Sequence, residues 1–140
     1  MLKLNNKGIT LLEAMITILV IMIGILSLAK IFPIAFKIDK TSEQATVAAN
    51  LAQSGLENLF YLDYDNLTVG TMEVKNRLSN DPSDQFYNYQ REILVEYVDE
   101  TLQTSITDTG LKKLTVNIYW YNQALKIEKN TQVISLISKK

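Results

Sequence analysis

The first quarter of the chain is dominated by one apolar run. Ala14 to Ala29 contains no charged residue, and Ile31 to Phe36 continues the apolar character after the single Lys30. An apolar stretch of about 20 residues is long enough to span a bilayer as an α-helix. The run therefore predicts a membrane-spanning helix near the N-terminus.

After Phe36 the pattern becomes amphipathic. Apolar residues recur near helical spacing with polar residues between them, and this apolar set is Ile38, Ala45, Ala48, Ala49, Ala52, Leu56, Leu59 and Phe60. We therefore expect the anchor to continue as one helix to about Leu62, with its second half covering a globular domain. The alanines between 45 and 52 would suit close contact either with another helix or with the protein's own sheet.

The C-terminal half shows the alternation of an antiparallel sheet. Its clearest strand has apolar residues at every second position, namely Leu114, Val116, Ile118 and Trp120. Residues 91–98 and 131–138 are further β-rich runs, whereas residues 71–78 in the connector are expected to form a short helix. Together these elements predict an α+β fold, in which a long N-terminal helix packs through its C-terminal half on a small antiparallel sheet.

Two groups of side chains in the connector and the sheet are candidate binding sites. Aromatic residues on the sheet would suit either packing or contact with another chain; they are Tyr87, Tyr97, Tyr119 and Tyr121. Four connector aspartates could be considered for calcium; they are Asp63, Asp65, Asp81 and Asp84. Turn formation explains each aspartate, and their spacing differs from that of an EF-hand. We therefore expect no metal site and no cofactor.

Glu13 stands at the start of the apolar run. An acidic group at the centre of a membrane helix costs about 2.5–3.5 kcal/mol on insertion scales, so its carboxylate calls for a cationic partner. Cleavage of the chain after Gly8 would create one, because it frees the amine of Ile9 four residues before Glu13.

The N-terminal residues resemble the class III signal sequence of type IV pilins and type II secretion pseudopilins. Lys3 and Lys7 supply the charge of a short leader, and the motif that follows is Gly8, Ile9, Thr10, Leu11, Leu12 and Glu13. The resemblance implies that a prepilin peptidase cuts after Gly8 and methylates the new amine on Ile9. It also implies that Glu13 pairs with the N-terminal amine of an adjacent subunit.

The resemblance divides the chain into a leader (1–8), a transmembrane and assembly helix (9–36) and a globular pilin-like domain (37–140). The layout of the whole chain is similar to that of minor pilins of the PilV type and I-type pseudopilins. The implied partners are the peptidase, other pilin or pseudopilin subunits, an inner-membrane assembly platform and membrane lipid. Lys3 and Lys7 precede the apolar run, so the N-terminus is expected in the cytoplasm and the domain outside it, in the periplasm or beyond.

Composition argues against an enzyme. The chain has no cysteine and no histidine, and it contains no Gly-rich phosphate loop. Loss of the leader would remove two lysines and move the formal net charge from -1 to -3, which does not support nucleic acid as a partner. Three functions stay open: a minor pilin of a type IV pilus, a pseudopilin in a periplasmic secretion piston, and a membrane-anchored binding module that never polymerises.

Gly8→Val should abolish processing, because a peptidase that cuts beside the membrane must fit the main chain closely and a side chain would obstruct it. The measurement is mass spectrometry of the protein after co-expression with a prepilin peptidase. Recovery of the shorter product from the variant would contradict the expected cleavage site.

Overall fold

The computed structural model describes residues 10–139. Helix α1 spans Leu11–Phe60 and is followed by a short 3₁₀ turn at Tyr64–Asn66. Five strands follow: β1 Gly70–Arg77, β2 Tyr89–Val98, β3 Thr104–Ser105, β4 Leu111–Asn122 and β5 Ile127–Ser138. The predicted α+β class is confirmed. The chain divides into two compact units between Asp39 and Lys40, and each is described by itself.

In the first unit, α1 is apolar all round. Ile18 to Ile23 are six consecutive exposed apolar residues, which cover more than one full helical turn. The hydroxyl groups of Thr17 and Ser27 donate to the carbonyls of Glu13 and Ile23 at 2.7 Å, so these polar side chains are satisfied within the helix. By length and composition, α1 is the one helix among residues 10–139 that could cross a membrane.

In the second unit, α1 packs on the sheet through small side chains. Ala48 and Ala52 are 0% exposed, and Gly55 is buried one turn further along. Ala48 and Ala52 therefore pack on the protein's own sheet. Of the two contacts that the sequence allowed, with another helix or with this sheet, the structure shows the second. The expected inclusion of Ile38, Ala49 and Phe60 in the packed face was wrong, because all three side chains are exposed.

The sheet is antiparallel, with the order β1-β2-β4-β5, and β3 pairs with the end of β2. Val116 lies at its centre, opposite Ile93 on β2 and Val133 on β5. The alternation predicted for β4 is confirmed, since the core contains Leu114, Val116, Ile118 and Trp120. One face of the sheet therefore meets the helix.

Residues 71–78 do not form the expected helix. They lie almost entirely in β1, where Thr71 pairs with Leu94 and Arg77 with Gln90. Local propensity is a weak prior, and the hydrogen-bonding edge of β2 outweighs it here. The pairing is irregular, with shifts between Thr71 and Glu73 and between Glu73 and Asn76.

Gly55 sets how closely α1 approaches β4. A Cβ added there would lie 3.1 Å from Cγ1 of Val116 and 3.4 Å from Cδ of Arg91. Gly55→Val should therefore lower the free energy of unfolding by about 1–3 kcal/mol, the usual cost of overpacking. Thermal unfolding of the full chain in detergent can be followed by the fluorescence of Trp120, the single tryptophan.

Ser54→Val is the matched control, because it puts the same side chain on an exposed position of the same turn. An equal loss of stability in both variants would show that a general effect of valine in this turn, and not the contact with Val116, explains the result.

Candidate functional site

Thr10 caps the N-terminal end of α1. Its Oγ1 accepts a hydrogen bond from the amide of Glu13 at 3.3 Å, and its carbonyl accepts from the amide of Ala14 at 3.1 Å. Thr10 and Glu13 have the spacing of a capping box, in which Thr is the N-cap and Glu the third helical residue. The first helical turn therefore carries the Glu13 carboxylate.

The residues of the predicted cleavage site lie outside the described part of the chain. These residues are Lys3, Lys7, Gly8 and Ile9. The expected cleavage after Gly8 and methylation of Ile9 therefore stay predictions. The structure describes the motif only from Thr10 onward.

Glu13 and Lys30 are the two charged residues between Leu11 and Phe36. Neither forms an ion pair with any residue from 10 to 139. They are 17 positions apart, roughly 25 Å along a helix, so they cannot pair within one chain. A cationic partner for Glu13 must come from outside the described residues or from another molecule.

A buried lysine holds the chain that follows α1. Lys112 is 3% exposed, and its Nζ donates to the carbonyls of Tyr64 at 2.7 Å and Leu67 at 2.8 Å. The same ammonium lies 4.0 Å from the ring centroid of Tyr64 and 5.4 Å from that of Tyr97. These contacts replace the water that the charge loses on burial. We call Tyr64, Leu67, Asp108 and Lys112 the lysine cluster.

The charges in the lysine cluster are fixed by hydrogen bonds. The phenol of Tyr64 donates to Oδ1 of Asp108 at 2.6 Å. Burial of the phenol is the larger cause and this hydrogen bond the next, and together they raise the pKa of Tyr64 well above its ordinary value. The same hydrogen bond is the largest cause that lowers the pKa of Asp108, and the hydrogen bond from the amide of Gly110 is the next. The phenol therefore stays neutral and the carboxylate ionised near pH 7, an arrangement that suits structure more than proton transfer.

Sequence reasoning missed Lys112. The signal that could have found it is the alternation of β4, because Lys112 falls on the same face as Leu114 and Val116. Extending the strand by one more step would have placed this lysine inward. Its partners are backbone carbonyls 45 to 48 residues away, which no local pattern identifies.

The four tyrosines considered as a binding surface do not form one row. Tyr119 donates to Glu92 at 2.8 Å and lies under Lys75, whereas Tyr97 faces Lys112. Tyr87 lies under the guanidinium of Arg77, and Tyr121 is exposed. The hypothesis of a shared aromatic surface finds no support in this distribution.

The connector aspartates also act separately. Asp81 and Asp84 accept from the amides of Ser83 and Phe86 at 2.8 Å, as turn-forming aspartates do. Asp65 pairs with Lys139 at 3.3 Å. Within residues 10–139, no group of three His, Cys, Asp or Glu side chains could hold a metal ion.

Comparison with known families assigns the N-terminal segment. Residues 3–29 match the family model of the prokaryotic N-terminal methylation motif, which is the class III signal peptide of type IV pilins and pseudopilins. The motif implies processing by a prepilin peptidase and assembly with other pilin subunits, and it points to a structural protein instead of an enzyme. With its apolar helix, the chain suits a membrane anchor. No curated protein and no solved structure matches it.

Lys112→Met should destabilise the protein by about 1–3 kcal/mol, because the buried Leu67 carbonyl loses a charged donor that methionine cannot replace. The measurement is unfolding in urea, together with hydrogen exchange at residues 63–67, which should lose protection first.

Lys113→Met provides the control. Lys113 is the next residue of β4, and its ion pair with Glu96 is partly exposed, with the two charged atoms 2.7 Å apart. Pairs of that kind contribute about 0–1 kcal/mol. Equal stability losses in the two variants would contradict the role assigned to Lys112.

Proposed function

We propose that the chain is a minor pilin, a structural subunit of a type IV pilus-like filament. It enters the cytoplasmic membrane through its N-terminal helix, is cut after Gly8, is methylated on Ile9 and is then built into the filament. The single observation that supports this most strongly is the methylation motif at residues 3–29. The proposed domains are the leader 1–8, the assembly helix 9–36 and the pilin-like domain 37–140.

The exposed surface of α1 supports assembly through the helix. Large apolar side chains are exposed from Leu11 to Ile38, including Phe32 and Phe36. Such a surface is stable only in lipid or against other apolar surfaces. A subunit that waits in the membrane and then packs its helix against its neighbours' helices keeps this surface out of water in both states.

The proposed role of Glu13 follows from its missing partner. Its exposed carboxylate has no cation among residues 10–139, and the free amine of Ile9 on an adjacent subunit would supply one. Pairing offsets part of the free-energy cost of removing both charges from water. The two groups can meet only when the two helices are shifted along their axes by one particular distance. The pair would therefore specify the position of each subunit more than it would add stability.

A pseudopilin of a type II secretion system is the second candidate, because the matched motif is that of pilins and pseudopilins alike. Such a subunit would use the same helix and the same pairing in a short periplasmic fibre. In either case the N-terminus would be cytoplasmic, since Lys3 and Lys7 precede the apolar run. The proposed partners are the prepilin peptidase, other filament subunits, the inner-membrane assembly platform and membrane lipid.

Glu13→Val should insert into the membrane and be processed, yet fail to enter filaments, because the pair with the neighbouring amine is lost. Each step is measured separately, by membrane fractionation, by mass spectrometry of the mature N-terminus, and by the amount of the variant in sheared filaments relative to wild type.

Two controls separate pairing from a simple effect on the helix end. A carboxylate anywhere in the first turn interacts favourably with the helix dipole, by about 0.3–1 kcal/mol. Glu13→Asp keeps the charge on its face and should retain at least part of the assembly. The double variant Leu12→Glu with Glu13→Leu keeps a carboxylate in that turn but rotates it by about 100°. Normal filament entry by the double variant would refute the pairing role.

A further inference from the structure

The end of the β4–β5 hairpin exposes apolar side chains on both of its faces, because Tyr121 pairs with Glu128 and Ile127 with Asn122. The hairpin between β4 and β5 turns at residues 123–126, and Tyr121, Leu125 and Ile127 are 53%, 47% and 49% exposed. Single exposed apolar residues are normal on a protein surface, whereas three on one hairpin end are less so. We call residues 121–127 the hairpin tip.

The hairpin tip is fixed to the first turn of α1 in this unit. Asn122 is 1% exposed, and its Nδ2 donates to Oγ1 of Thr41 at 3.1 Å and to Oε1 of Gln44 at 3.0 Å. The Oδ1 atom of the same amide accepts from the amide of Leu125 at 2.9 Å. One buried side chain therefore ties the turn to the helix.

Chain connectivity limits how far the hairpin tip can lie from the apolar run. Thr41 follows Phe36, the last residue of that run, by five residues. Five residues span at most about 18 Å even when fully extended. Thr41, to which the tip is bound, can therefore lie no further than this from the end of the run.

The chemistry of the hairpin tip fits a membrane surface. Leucine and isoleucine side chains gain from burial at the boundary of headgroups and acyl chains, and tyrosine favours the interface because its ring is apolar and its hydroxyl polar. Lys126 is exposed, and it makes no ion pair with any residue between 10 and 139. Its charge would be attracted by anionic headgroups.

We infer that the hairpin tip binds the headgroup layer of an anionic phospholipid membrane, an inference that rests on the proposed insertion of α1. Leu125 and Ile127 enter the layer, Tyr121 lies at its surface, and Lys126 faces the lipid phosphates. The unassembled subunit thereby holds its domain against the membrane by two contacts. Entry into a filament has to break the second one.

The test uses the absence of cysteine, since single cysteines can be placed and labelled with an environment-sensitive fluorophore. The full chain is reconstituted in vesicles of phosphatidylethanolamine and phosphatidylglycerol, with and without nitroxide-labelled lipid. The probe in Leu125→Cys should show a blue-shifted emission compared with detergent and should be quenched by the nitroxide. In Leu125→Cys combined with Lys126→Glu, quenching should fall.

Ile106→Cys is the matched control. Ile106 is 99% exposed and precedes β4, so it lies at the opposite end of that strand from the hairpin tip. Its probe should show little quenching. Equal quenching at positions 106 and 125 would overturn the inference, because it would indicate unspecific adsorption of the domain.

Val20→Cys separates this inference from the proposed function. If the probe at position 20 is quenched and the probe at position 125 is not, α1 is inserted in the membrane but the hairpin tip does not contact it. This result refutes the inference and leaves the proposed membrane insertion intact. A blue shift at 125 without quenching assigns the tip to a protein contact and also refutes it. An unquenched probe at 20 contradicts membrane insertion itself, and with it both proposals.

Discussion

The apolar surface of α1 between Leu11 and Ile38 is the constraint on which the remaining structure depends. Ile18 to Ile23 leave no polar face, so this part of the helix cannot rest against water on any side. From Lys40 onward only one narrow face of the same helix is apolar, so only that face has to be kept out of water. Ala48, Ala52 and Gly55 make that face flat, and the protein's own sheet covers it.

The flat helix face determines the sheet that packs on it. Val116 approaches Gly55 so closely that a methyl group there would require the Val116 side chain to move by a few tenths of an ångström. With this strand in place, β2 and β5 pair along its two edges and bring Ile93 and Val133 to the same side. A helix with large side chains at these positions would leave the same strands further away and the core less densely packed.

Two buried polar side chains lie near the two ends of β4. Lys112 near the start of the strand binds the chain that leaves α1, and Asn122 at its end binds the turn of α1 near Thr41. Lys112 and Asn122 are ten residues apart, roughly 34 Å of extended strand. Hydrogen bonds from two buried side chains thus join β4 at one end to the chain that follows α1 and at the other end to α1 itself, which apolar contacts in the middle could not direct.

The sequence by itself determined the anchor helix, the methylation motif and the α+β class. Each depends on a local signal: an uncharged run, a short motif beginning at Gly8, and strict alternation along β4. Only the tertiary structure decided that residues 71–78 belong largely to a strand, that Gly55 replaces Ala49 in the packed face, and that Lys112 is buried. These features depend on partners far away in the chain, such as the carbonyl of Leu67 for Lys112. Periodicity and propensity describe neighbours along the chain, whereas the burial of a charge is decided by whichever atoms the fold brings to it.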